Sequence, residues 1–140
     1  MLPEIAPHQF QPLSGQHQLA LDLFQKRIEV FTRIRSAVGE ISRSGASSSK
    51  VEYDLIEAID AARFLFGSEV RAYLDKLYHN LIDLDYCNTS MKDPTLAPAD
   101  RAALAQKRTE HFKSITSFYG NIDTLFGPYL SATHKFSDAQ

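Results

Sequence analysis

Asp75, His79 and Asp83 stand four residues apart, and a row at i, i+4 and i+8 is how one helix face offers carboxylate and imidazole ligands to a metal. On a wheel of about 100° per residue, however, the three point away from the apolar stripe of their own segment. They face solvent on a single layer, with no second helix to complete a coordination shell. The Glu-x-x-His pair of di-iron bundles is absent, because Lys76, Arg108 and Ser131 precede His79, His111 and His134 by three residues. Cys87 lies about two turns beyond His79, too far along a helix for a thiolate–imidazole pair. No GxSxG, phosphate-binding P-loop or GxGxxG run occurs. Residue types capable of chemistry are therefore present without the spacing that chemistry needs, and the sequence assigns no catalytic, metal or cofactor-binding residue and calls for no cofactor.

Three arginines remain as candidates. Arg35 falls within the apolar stripe expected for the first helix, with Arg27 on its flank, and a guanidinium in that position must either reach water along its own stem or meet a carboxylate from another helix. Arg63, at the end of the second helix, is the third candidate for an interhelical ion pair or for the lining of a pocket between helices.

The elements that position these residues read clearly. The chain has 140 residues, 44% of them hydrophobic and 23% charged, which suits one domain able to bury roughly two-thirds of its unfolded surface. A net charge of −2 offers no general attraction to nucleic acid or anionic membrane. One cysteine excludes an internal disulfide and any CxxC motif, which fits a reducing, cytoplasmic setting. Charges interrupt every apolar run well short of the roughly 18 residues needed to span a bilayer. Pro3, Pro7 and Pro12 make residues 1–15 an extended or disordered leader, and on the sharper reading Leu2, Ile5, Phe10 and Leu13 would anchor an extended segment in a groove of this protein or another.

A helical domain is expected over 16–130, followed by a flexible tail at 131–140. The first helix is expected from about Gln16 to Ser44, with Leu21, Phe24, Ile28, Phe31, Ile34, Val38 and Ile41 inward and Gly45 as its stop. Ser49 and Glu52 form a capping box for a second helix whose stripe is Leu55, Ile59, Ala62 and Phe66. At Phe66-Gly67-Ser68-Glu69 one helix stops and another starts, with Gly67 expected in the left-handed conformation and Ser68 as cap. Beyond it Val70, Leu74, Leu77, Leu81 and Leu84 are spaced 4, 3, 4, 3, a narrow seam of the coiled-coil kind. A fourth helix opens at Pro98 and runs to Gly127-Pro128, with Gly120 as a weak point.

Charge indicates how these helices meet. The segment Val51–Tyr86 has net charge −5, whereas the first and fourth helices carry +2 and +1. The simplest arrangement is all-α, an antiparallel bundle of four helices in which the outer two flank an acidic middle pair joined at a Gly67-Ser68 corner or kink. The sequence leaves open whether that pair is a hairpin or one kinked rod.

The segments LALDLFQKRIEVFTRIR, ARFLFGSEVRAYLDKLY and IDTLFGPYL resemble a family of uncharacterised bacterial helical proteins, often with a membrane-anchoring N-terminus. The resemblance covers roughly Leu19 to Leu130. It implies a helical fold and brings no assigned activity, and the proline-containing leader stands here where the family has its anchor.

The function expected from this reading is a non-enzymatic module that binds another protein or itself through an exposed helix face. The alternative is a ligand-binding or enzymatic bundle with an aromatic and arginine pocket that includes Arg63. A third reading, a nucleic-acid accessory protein, rests on bases that are interleaved with acids and form no recognition helix, so no nucleic-acid partner is expected.

Overall fold

Ser14 sets the start of the first helix: its hydroxyl accepts from the His17 N–H at 3.2 Å and supplies one of the partners a helix N-terminus lacks. The structure, a computed structural model, describes residues 14–131. The expected leader and tail lie outside these residues, except that Ser14 and Gly15 already belong to the first helix and its cap and Ser131 caps the last helical turn. Helix α1 spans Gly15–Ser44 and ends where Gly45 turns left-handed at φ 70°, its N–H returning to the Ile41 carbonyl at 2.7 Å. Helix α2 spans Ser49–Ala62, α3 Ser68–Ser90, α4 Pro98–Thr116, α5 Phe118–Leu125, and α6 is a single turn at Gly127–Leu130. The chain is all-helical, with no strand among the described residues.

Two serines contend for the cap of α2, and Ser48 rather than Ser49 takes it, accepting from the Val51 N–H at 3.2 Å. Glu52 then turns to the Ser47 hydroxyl, so the capping box expected from Ser49 does not form.

Side-chain contacts fix the directions. Arg33 of α1 meets Glu57 of α2 at 3.3 Å, and Arg27 meets the residues just past α2, so α2 runs back along α1 toward its N-terminus. The Asn88 amide near the end of α3 donates to the Gly45 carbonyl just before α2 begins. Helices α2 and α3 are therefore a hairpin and not a kinked rod. Helix α4 runs back along α3, with His111 beside Asn80, and Arg101 closes the connection by donating to the carbonyls of Met91 and Asp93 at 2.7 and 2.8 Å. Helix α4 also touches α1, and α6 packs on α1 near the α2–α3 corner. Arg27 marks where α1 passes that corner, so the twelve residues before it, about 18 Å of helix, run on beyond.

The α3 seam is buried as its spacing requires: Val70, Leu74, Leu81 and Leu84 are fully enclosed and Leu77 nearly so. Each such side chain contributes about 1.5–3 kcal/mol on leaving water. Helix α1 adds Val30, Ile34, Val38 and Ile41, and α2 adds Leu55, Ala58 and Ala62. The inward face of α1 is rotated from the expected stripe, since Arg27, Val30 and Ala37 are buried while Ile28 is partly exposed.

The fourth helix breaks at Ser117, three residues before Gly120. The Thr116 hydroxyl bonds back to the Phe112 and Lys113 carbonyls and the Ser117 hydroxyl to the Ser114 carbonyl, which competes with continuation of the helix. The turn delivers Phe118 and Phe126 into the core, where both are fully buried against Phe31 at 6.1 and 5.2 Å between ring centroids.

Candidate functional site

Beyond Ala62 the chain makes a tight turn through Arg63, Phe64, Leu65 and Phe66, held by the N–H groups of Leu65 and Phe66 on the Ala62 carbonyl at 3.0 and 3.2 Å. A turn of this kind leaves later backbone groups unpaired, and two distant side chains supply the partners. Arg27 donates its Nε–H to the Leu65 carbonyl at 2.6 Å. Tyr129 of α6 accepts the Gly67 N–H on its hydroxyl at 3.1 Å and donates that hydroxyl to the Glu69 carboxylate in a short hydrogen bond.

Gly67 is not left-handed. Its φ of −74° and ψ of 176° are extended, and it stands at the N-cap of α3 without a side-chain cap bond. Glycine is needed for another reason: a Cβ here would overlap the Tyr129 hydroxyl and come within 2.8 Å of the Glu69 carboxylate. The Tyr129 ring meets Arg27 on its face, with the guanidinium carbon 5.2 Å from the ring centroid, and meets Phe66 edge-on at 5.3 Å.

Burial pushes the Arg27 guanidinium below its usual range, and Tyr129 draws it part of the way back. The Tyr129 hydrogen bond, assisted by the helix's own backbone, holds Glu69 below the usual carboxylate range. The same bond to Glu69, ahead of burial, pushes the Tyr129 phenol up. Arg27, Tyr129 and Glu69 each have a partner within the cluster, which braces the corner.

Of the three candidate arginines, Arg27 alone is buried, and it meets a carbonyl and a ring where water or a carboxylate was expected. Arg35 is exposed, on the flank of α1. Arg63 is exposed and pairs with Asp60 at 3.5 Å one turn back, a surface contact worth little. Arg63 also lines an open hollow of about 310 Å³ with Ile59, Ser68, Arg71, Ala72 and Asp75, and no aromatic is among them. The aromatic side chains of the interior fill their space against one another.

Asp75, His79 and Asp83 are exposed, with His79 Nδ1 hydrogen-bonded to the Asp75 carbonyl oxygen at 2.7 Å. Among the described residues no group of three or more His, Cys, Asp and Glu is placed to hold a metal. No described helix is long and apolar enough to cross a membrane.

Beside the brace, Phe64 is the most exposed of the large apolar side chains among the described residues, at 86%, while Phe66 two residues on is buried. Sequence reading missed this distinction and the part played by Tyr129 and Glu69. For Arg27 there was a signal, a charge at the edge of an apolar stripe; for Tyr129 there was none, since its partners lie 60 or more residues away. No family model, curated protein or solved structure matches the chain.

Proposed function

We propose that the helices form an antiparallel four-helix bundle serving as a non-enzymatic protein-interaction module, with Phe64 as its docking side chain. The pairwise directions of α1 to α4 support the bundle. One observation carries the docking reading: an aromatic side chain 86% exposed on a turn whose backbone is pinned on its C-terminal side by Arg27 and Tyr129. Leaving a phenylalanine in water forgoes about 1.5–3 kcal/mol that a partner's apolar pocket returns. A pinned backbone reduces what ordering the contact would cost, which is the condition under which one aromatic anchor dominates an interface.

The resemblance to uncharacterised bacterial helical proteins agrees with the helical fold of such a module, and the single buried cysteine agrees with a cytoplasmic setting. A self-associating chain is the nearest competitor.

The experiment is a pull-down from the native cell with the full chain and with Phe64→Ala, quantified by mass spectrometry, beside sedimentation of the pure protein over a range of concentrations. A stoichiometric partner retained by the parent and lost by Phe64→Ala, with the unfolding free energy in urea unchanged to within about 0.5 kcal/mol, supports the reading. Retention of the same partner by the variant refutes it. Association of the pure chain that is equal in both proteins moves the interface elsewhere.

A further inference from the structure

The hairpin of α3 and α4 encloses a narrow cleft of about 160 Å³ near the broken end of α4. Its polar lining is Tyr73, Lys76 and Asn80 from α3 with Ser114, Ser117 and Asn121 from the facing side. No carboxylate lines it, although α3 as a whole is acidic. A space of this size would take about five waters at their liquid volume, or one small polyatomic ion.

The hydrogen bonds inside the cleft leave a surplus of donors. The Asn80 amide is locked at both ends, donating to Ser114 Oγ at 3.2 Å and accepting from His111 Nδ1 at 3.0 Å. Ser114 Oγ is thereby used as an acceptor and keeps its own hydrogen to give. Ser117 and Asn121 donate to the carbonyls of Ser114 and Ser117, at 2.6 and 3.0 Å. Lys76 is in no ion pair among the described residues. The Tyr73 hydroxyl is buried and makes no closed hydrogen bond among the described residues, with Ser117 and Asn121 standing near it. A buried hydroxyl is costly to leave unmet, so a water or a bound group in the cleft would complete it. Burial pushes the Tyr73 phenol up, so the group stays a proton donor at neutral pH, and nearby Asn121 and Ser117 only partly offset this.

We infer that the α3–α4 cleft is a binding site for a small oxyanion, received by the Lys76 ammonium and the hydroxyls of Tyr73 and Ser114. Three donors without acceptors, one of them charged, face a space with no competing carboxylate, and an anion with several acceptor oxygens satisfies all three at once. Leu77, almost wholly buried, lies against the cleft and limits the ligand to a phosphate-sized group or the carboxylate end of a small acid.

The test follows the side-chain amide signals of Asn80 and Asn121 in nitrogen-15 NMR spectra of the full chain during titration with inorganic phosphate, with acetate, and with chloride at matched ionic strength. Saturable shifts at both amides with phosphate or acetate, absent with chloride, are expected, and the stronger of the two probes identifies the oxyanion. Lys76→Gln alters an exposed residue and keeps the fold, and it is expected to weaken binding about tenfold or more, as is Tyr73→Phe. Urea midpoints of both variants separate lost binding from lost structure. Shifts that never saturate, or that persist unchanged in Lys76→Gln, overturn the inference and leave the cleft a water-filled seam.

Discussion

The guanidinium carbon of Arg27 lies 5.2 Å from the centroid of the Tyr129 ring, which joins the first helix to the last turn of the described chain across the corner between α2 and α3. The same two residues cap backbone groups of that corner, Arg27 at the Leu65 carbonyl and Tyr129 at the Gly67 N–H. One contact between sequence-distant side chains thus holds the turn that presents Phe64.

Removing Arg27 leaves a carbonyl unpaired in a closed environment and a ring without its cation. Arg27→Ala is expected to lower stability by about 2–4 kcal/mol, whereas Arg35→Ala, on the exposed face of the same helix, is expected to stay within about 0.5 kcal/mol. Urea unfolding of the two variants checks the pair. Arg27→Lys keeps the charge but loses the planar fork, so it is expected to recover only part of the loss.

Gly67→Ala and Gly45→Ala are expected to destabilise for different reasons. At Gly67 the backbone suits any residue, and the cost, about 1–3 kcal/mol, is the clash with Tyr129. Adding Tyr129→Phe is therefore expected to relieve much of it, and a double-mutant cycle measures the coupling. At Gly45, with φ 70° and open space around a Cβ, the cost is about 1 kcal/mol of backbone strain, and Tyr129→Phe changes nothing.

The Tyr129–Glu69 bond makes part of the stability depend on pH. Glu69 is held below its ordinary value of 4.5, so its contribution is present above that value and is lost as pH falls through the lower folded value. Tyr129 is held above its ordinary value of 10.0, so its contribution is present below that value and fades as pH rises through the higher folded one. The difference in urea midpoint between the parent and Tyr129→Phe is accordingly expected to be constant around neutrality and to shrink on strong acidification. A difference that grows toward low pH contradicts the assignment.

Neighbouring residues of α3 test which face is inside. Leu81 is fully buried and Ile82 is 39% exposed. Leu81→Ala is expected to cost about 2–5 kcal/mol and Ile82→Ala less than about 1 kcal/mol, measured by thermal or urea unfolding.

Cys87 is 2% exposed, and its thiol is pushed up by burial first and by Asp83 second. Alkylation by iodoacetamide at neutral pH is expected to be much slower in the native chain than in urea, at a rate that follows opening of the fold. Native reactivity equal to that of a free thiol would contradict the buried position.

Local pattern carried much of the helical layout. The 4, 3, 4, 3 spacing from Val70 to Leu84 marks one face of a helix whatever packs on it, and all five residues are inside. Gly45 ends α1 because the left-handed turn is a property of the residue itself. Capping was legible only to within a residue at Ser48 and Ser49, since both can serve and neighbouring chain decides. Tertiary packing settled the rest. Whether Arg27 or Arg35 went inside depended on where α2 lies against α1, and the break at Ser117 depended on Phe118 and Phe126 having a place in the core. Gly67 shows the division most plainly: its sequence neighbours mark a corner, but the need for glycine comes from Tyr129, 62 residues away, whose hydroxyl occupies the space a side chain would need. Periodicity and turn residues act over a few positions and can be read along the chain, whereas the brace at the corner and the donor-rich α3–α4 cleft arise from residues that only folding brings together.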